Sequence, residues 1–201
     1  MIAIIDYGVG NLKSVYKALV HLGFSAEITS DKEKINESKG IILPGVGAFR
    51  DAMENLKRME LVDCLSENVK MGKPFLGICL GMQLLYEKSY EDGEWEGLGF
   101  LKGEIVRFDH QYKVPHMGWN SLIRGTPDPI GKGVDEGEYV YFVHSYYLKP
   151  QDPNEVVFWT DYGVKVPAAV RNRNIIGMQF HPEKSGKVGM QLLKNFGELM
   201  K

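Results

Sequence analysis

Lys73-Pro-Phe-Leu-Gly-Ile-Cys-Leu-Gly-Met-Gln-Leu-Leu-Tyr-Glu87 is the stretch that decides how the rest of the chain is read. Pro74 to Gly77 reads as a short buried strand, and Leu80 to Glu87 as a helix with Leu80, Leu84 and Leu85 on one face. Cys79 sits between them, bracketed by Gly77 and Gly81. A Gly-x-Cys-x-Gly pattern at a strand-to-helix junction is the cysteine form of the nucleophile elbow. Such a turn holds the nucleophile in strained backbone and brings its plus-two and minus-two neighbours close, so glycine there removes colliding Cβ atoms. The helix that follows aims its amides and dipole at the sulfur, which favours thiolate. The same residues also read as a buried cysteine packed as a small hydrophobe in a crossover, and the far end of the chain bears on the choice.

Towards the N-terminus the pattern is that of a parallel α/β sheet. Ile2–Ile5 and Gly40–Leu43 are apolar throughout, a strand fits Ser25–Thr29, and a helix fits Leu12–Leu22 with Asn11 as N-cap and Gly23 as its C′ residue. Apolar strands alternating with helices imply parallel strands covered on both faces. Gly8-x-Gly10 begins like a dinucleotide fingerprint, but Lys13 occupies the third glycine position, and a tight turn approaching something outside the fold is the better reading. Pro44-Gly-Val-Gly-Ala-Phe49 follows the third strand, where Pro44 is expected to stop the ladder. A glycine loop beside an elbow is either a simple turn or the source of a second oxyanion-hole amide. Helices are expected at Asp51–Lys57 and Leu61–Met71, with Cys64 a core thiol.

Beyond the elbow the texture changes. Ser89–Gly99 reads as an acidic surface loop, and Gly125–Gly137, with two prolines and four glycines among charges, as a mobile one. Strands are expected at Glu104–Phe108, Met117–Ile123, Glu138–Leu148, Val156–Tyr162, Ala168–Arg171 and Ile175–Phe180. Nothing marks a second domain in 201 residues, so the whole chain, 1–201, is read as one domain.

Gly177-Met-Gln-Phe-His-Pro-Glu-Lys-Ser185 supplies what Cys79 lacks. In extended backbone residues i and i+2 point the same way, so His181 and Glu183 can meet, with Pro182 opposing helix. Glu183 would orient the imidazole while His181 takes the thiol proton, giving a Cys-His-Glu triad. Ser185 starts a helix to about Met200. Of the other histidines, His21 and His110 read as solvated, and His116 and His144 as structural or substrate-side groups. None has metal-ligand spacing, and no metal or other cofactor is expected.

A net charge of −2 gives no case for nucleic acid or an anionic membrane as the main ligand. No apolar run approaches the roughly 20 residues of a membrane span, and Met1–Ile5 is too short for a secretory core. Two cysteines give no disulfide framework, and a free nucleophilic thiol suits a reducing cytoplasm.

Gly77-Ile-Cys-Leu-Gly-Met-Gln83 and His181-Pro-Glu183 together resemble the two diagnostic motifs of the class I (triad) glutamine amidotransferases, in order and at the expected separation. Pro44-Gly-Val-Gly47, Pro115-His-Met-Gly-Trp-Asn120, Tyr141-Phe-Val-His-Ser-Tyr146 and Gln179-Phe-His-Pro-Glu-Lys-Ser185 look like the glutaminase subunits of imidazole glycerol phosphate synthases, in histidine biosynthesis. The resemblance implies a flavodoxin-like, mostly parallel sheet flanked by helices, with an added antiparallel or mixed portion in the C-terminal half. It implies hydrolysis of L-glutamine through a γ-glutamyl thioester, with Cys79, His181 and Glu183 catalytic. Val46 and Leu80 would furnish oxyanion-hole amides, and Gly45, Gly47, Gln83, Ser145 and Tyr146 would bind substrate. The implied partner is a (β/α)8-barrel cyclase in a heterodimer, receiving ammonia to make imidazole glycerol phosphate and an aminoimidazole carboxamide ribonucleotide. Asn11, Met117, Trp119, Tyr141 and Lys184 are the implied interface. The glutaminase of an anthranilate, guanylate or pyridoxal phosphate synthase, a hydrolase acting on other amides, and an inactive assembly module are the rival readings.

Overall fold

The computed structural model describes residues 1–109 and 111–200; His110 lies outside them. In chain order the elements are β1 (Ile2–Ile5), α1 (Leu12–His21), β2 (Ala26–Thr29), α2 (Lys32–Glu37), β3 (Gly40–Gly45), α3 (Phe49–Arg58), α4 (Leu61–Lys70), β4 (Phe75–Cys79) and the one-turn α5 (Leu80–Gln83). The second half is mostly strand: β5 (Lys88–Ser89), β6 (Trp95–Glu96), β7 (Gly103–Arg107), β8 (His116–Ser121), β9 (Ile123–Arg124), β10 (Tyr139–His144), β11 (Tyr146–Pro150), β12 (Val156–Asp161), β13 (Lys165–Asn172) and β14 (Ile175–Met178), before α6 (Gly186–Glu198).

An eight-stranded sheet in the order β2-β1-β3-β4-β14-β13-β12-β9 carries the fold. The first five strands are parallel and the last three join antiparallel, so the expected mixture lies within one sheet. The inner parallel strands β1, β3, β4 and β14 carry no polar side chain and are buried at every position, because successive side chains meet different helices. Ala3 and Ile5 of β1 join Leu56 and Leu65 under α3 and α4, while Ile2 and Ile4 join Leu19 and Phe196 under α1 and α6. Full burial of each such side chain contributes about 1.5–3 kcal/mol, and a polar residue on either face would forfeit it. Smaller sheets, β8–β10 and β11-β7-β5-β6, complete the strand content of the described residues.

Several expectations are corrected. Pro44 does not stop the ladder: β3 runs on, pairing Pro44 with Ile78 and Gly45 with Cys79. Within the Gly8–Gly10 turn, Gly10 packs closely on the β3 end, where a Cβ would lie 3.2 Å from Pro44, while Gly8 is exposed. The helix expected to reach Glu87 ends at Gln83, because the carbonyls of Leu84, Leu85, Tyr86 and Glu87 accept from the amides of Leu98, Leu101, Gly99 and Gly97 instead. That same contact turns part of the Ser89–Gly99 loop into the β5–β6 hairpin. Gly125–Gly137 is tied down: Ile130 and Val134 are buried, and Asn195 of α6 donates to the carbonyls of Ile130 and Lys132 at 2.8 and 2.7 Å. The strand expected over Glu138–Leu148 breaks at Ser145 into β10 and β11, which belong to different sheets. α2 is an addition; its single buried residue, Ile35, leaves no periodicity to read, and Asp31 caps it by accepting from Glu33 N.

Candidate active site

Cys79 ends β4, Gly45 ends β3 and His181 follows β14, so the three meet at the carboxyl ends of adjacent parallel strands, where open α/β sheets bind their ligands. Cys79 has φ 54° and ψ −111°, strained values for a residue with a Cβ. A Cβ on Gly77 would stand 2.6 Å from the Gly81 carbonyl oxygen, and one on Gly81 would run into the carbonyl of Leu43. The two glycines are therefore what lets the turn close. The thiol is buried and meets two weak partners, the Val143 carbonyl at 3.9 Å and the Gln179 amide nitrogen, which donates to it at 3.8 Å.

His181 and Glu183 meet as expected, Nδ1 to Oε1 at 2.9 Å, both side chains buried. Their local structure differs from the extended segment read in the sequence. Pro182–Lys184 is a single 3-10 turn with Pro182 in its first position, where the missing N–H costs nothing. Ser185 locks this turn, donating to the His181 carbonyl and accepting from Tyr141 N. Asn11 makes no side-chain cap on α1; its amide donates to Glu183 Oε1 at 3.2 Å and so shares the carboxylate oxygen that orients the imidazole. His181 Nε2, buried, has no hydrogen-bond partner among the described residues. Burial acts to lower the imidazole pKa, but hydrogen bonding and charge from Cys79 and Glu183 together outweigh it and raise the value to about 9. A thiol at a helix start beside a carboxylate-oriented imidazole is the arrangement of an activated nucleophile.

A cavity of about 310 Å³ opens over the thiol, lined in part by Val46, Gly47, Leu80, Gln83, Ser145 and Tyr146. Gly45 does not line it. This residue packs beneath, where a Cβ would come within 2.7 Å of Gly81 N and 2.8 Å of the Tyr7 hydroxyl. Gly47, at φ +99°, is the loop residue that needs glycine for its conformation. Glu91, passed over in the sequence as part of an acidic loop, also lines the cavity. Its carboxylate accepts from Phe49 N at 2.7 Å, and burial raises its pKa. Nothing local in the sequence distinguishes Glu91 from its acidic neighbours.

Met117, Trp119 and Tyr141 share one face of the β8–β10 ribbon, with Met117 and Trp119 61% and 56% exposed. Tyr141 is also joined to the triad turn, its carbonyl accepting from His181 N at 3.0 Å. Lys184 is exposed on that turn. A larger groove, about 530 Å³, lies by Cys64, but its charges are mixed and no base reaches the thiol, whose pKa burial pushes up. Among the described residues no cluster of side chains could hold a metal ion, and no helix is long and apolar enough to cross a membrane.

Comparison with known proteins agrees with this geometry. The family model of the class-I glutamine amidotransferases matches residues 3–199. The chain belongs to that family. This amidotransferase is 50% identical over 201 residues to the imidazole glycerol phosphate synthase subunit HisH of Caldanaerobacter subterraneus subsp. tengcongensis, covering 100% of this chain and 99% of that one. It is 54% identical over 201 residues to the protein of the same name from Carboxydothermus hydrogenoformans, covering all of both chains. Solved structures share the fold: a crystal structure of a glutamine amidotransferase, at TM-score 0.78 and 20% identity, covers 100% of this chain and 99% of its own. The structure of PurLQS from Thermotoga maritima gives TM-score 0.78 at 23% identity, covering 100% and 98%.

Proposed function

We propose that this amidotransferase is the glutaminase subunit of an imidazole glycerol phosphate synthase, hydrolysing L-glutamine and delivering ammonia to a (β/α)8-barrel cyclase in a heterodimer. The observation that carries the chemistry is Cys79 on its strained elbow beside an imidazole held by buried Glu183. The full-length likeness to relatives named as synthase subunits supports the pathway and the partner.

The thiolate of Cys79 attacks the side-chain amide carbon, and the developing oxyanion lies towards the amides of Leu80 and Val46. His181 passes the proton to the leaving nitrogen, so ammonia departs and a γ-glutamyl thioester remains. His181 then draws a proton from water, which attacks the thioester and releases glutamate. Gln83 donates both amide hydrogens inside the protein, to the Tyr146 carbonyl and Gln179 Oε1, each at 3.0 Å. It therefore offers only its oxygen to the cavity, and together with Glu91 it suits the substrate's α-ammonium group. Gly47, Ser145 and Tyr146 serve the α-carboxylate end. Met117, Trp119, Tyr141 and Lys184 face the cyclase, and Asn11 reaches that face from the triad side. The chain acts as one amidotransferase domain in the cytoplasm, with no cofactor.

Glutamate release is measured with and without a candidate cyclase and its ligand, alongside Cys79→Ala. The wild-type pair should hydrolyse glutamine. Cys79→Ala should lose glutamine-dependent synthesis while the complex keeps synthesis from added ammonia. Loss of both activities in an intact complex would give Cys79 another role, and stimulation only by the barrel of a different synthase would reassign the pathway.

A further inference from the structure

A buried histidine pair, of which His144 borders the cavity over Cys79, is used by none of the steps above. His116 Nδ1 and His144 Nε2 are 3.0 Å apart, both rings are buried, and His144 Nδ1 lies 2.8 Å from the Tyr146 carbonyl oxygen. The roles of all four ring nitrogens follow from chemistry. A carbonyl only accepts, so His144 Nδ1 carries hydrogen. Burial drives the pKa of His144 to about 3 and that of His116 to about 4, so both rings are neutral. His144 Nε2 must then accept from His116 Nδ1–H, and His116 Nε2 accepts from the Asn120 amide at 3.2 Å. Asn120 gives its other hydrogen to the Asp161 carbonyl at 2.8 Å. The His116 ring is clamped between Phe142 and Tyr162, stacked at centroid distances of 4.7 and 4.0 Å.

This ordered row ends on one atom, the Tyr146 carbonyl oxygen, which also accepts from Gln83. That carbonyl sits where β10 gives way to β11, just past Ser145 on the cavity wall. Gln83 in turn sets the Gln179 amide, leaving the Gln179 nitrogen to face the Cys79 sulfur. We propose that His116 and His144 are positioning residues for glutamine recognition: they pin the Tyr146 carbonyl, and through it fix Ser145, Tyr146 and the Gln83 amide in the orientation that accepts the substrate's amino-acid end. The inference rests on the glutaminase reading of the cavity. Neither ring touches the reacting atoms in this role, and neither exchanges protons during turnover.

The test uses the complex with the cyclase and the variants His144→Leu, His144→Asn and His116→Phe. His144→Leu should raise KM for glutamine about tenfold, the equivalent of one lost hydrogen bond, and change kcat much less. His144→Asn, whose amide can replace the Nδ1 donor, should recover most of that loss. His116→Phe keeps the stacking but removes the donor to His144, and should raise KM in the same direction. Should His144→Leu not fold, His116→Phe carries the measurement. Alkylation of Cys79 separates positioning from general damage. A glutamine-analogue diazoketone should react more slowly with the variants, while iodoacetamide reacts as with wild type. Unchanged KM in folded His144→Leu and His116→Phe, or equal slowing of both reagents, overturns the inference. Absence of glutamate release by the wild-type pair would instead overturn the glutaminase reading.

Discussion

Glu183 Oε1 is shared: His181 Nδ1 lies 2.9 Å away and Asn11 Nδ2 3.2 Å away. Removing the imidazole deletes the proton carrier, whereas removing Glu183 leaves the ring seated by the 3-10 turn and its backbone bond to Tyr141. His181→Ala should therefore cost roughly 10²–10⁴ in turnover, and Glu183→Ala less. Steady-state glutamate release ranks them, and the reverse ranking in folded variants would contradict the assignment. The ionisation of His181 is testable by itself. Its folded value, about 9, lies above the ordinary histidine value of 6.5. The stability it contributes is thus complete below about pH 6.5 and is lost as pH rises through about 9. NMR titration should show the imidazolium persisting towards pH 9 in wild type and disappearing at lower pH in Cys79→Ala, where burial opposes a smaller set of raising groups. A midpoint unmoved by Cys79→Ala would show that the sulfur does not hold that proton.

The elbow and the 125–137 loop show how elements are set by contacts between them. Gly81 presses on the carbonyl of Leu43 across β3, so Gly81→Ala must displace the strand that carries Gly45. Hydrolysis should fall even where the fold survives, because thiol and oxyanion donors separate; a fully active, stable Gly81→Ala protein would refute the close contact. Gly45 is itself wedged against Gly81 N and Tyr7, so a side chain there would disturb the elbow as well as any peptide rotation. The loop depends on Asn195, whose amide makes two hydrogen bonds to it from inside α6. Asn195→Ala should lower unfolding stability by about 1–3 kcal/mol, read from urea titration, and expose the loop to protease. Unchanged stability would mean that Ile130 and Val134 hold the loop unaided.

Across the whole molecule, the ends of the parallel strands converge with the β8–β10 ribbon. The exposed Met117–Trp119 face and the opposite face, with buried His116 and half-buried Asn120, alternate along the same strand. One face is open to a partner and the other borders the site. Trp119 stacks edge-on against Tyr141, with ring centroids 6.1 Å apart. As a large aromatic on an exposed face it is the expected anchor of the interface. Trp119→Ala should weaken cyclase association by about thirtyfold while the isolated chain keeps its fold and melting temperature. Titration calorimetry measures the association, and unchanged affinity would move the interface elsewhere.

The parallel half of the sheet, the cysteine elbow and the pairing of His181 with Glu183 were all legible in the sequence. Each rests on neighbours in the chain: unbroken apolar runs, glycines two residues either side of Cys79, and a two-residue spacing. What tertiary structure decided rests on partners distant in sequence. Whether α5 stops at Gln83 depends on amides near residue 100 capturing its carbonyls. Asn11 looks like a helix cap until Glu183, 172 positions away, takes its amide. Glu91 is one acid among several until the β5–β6 hairpin carries it to the cavity. The protonation of the His116–His144 row follows only once Tyr146 presents its carbonyl. Local steric and apolar patterns are written in consecutive residues, but a hydrogen-bonding group has many acceptable partners. Only the folded chain, by excluding water, determines which one it meets.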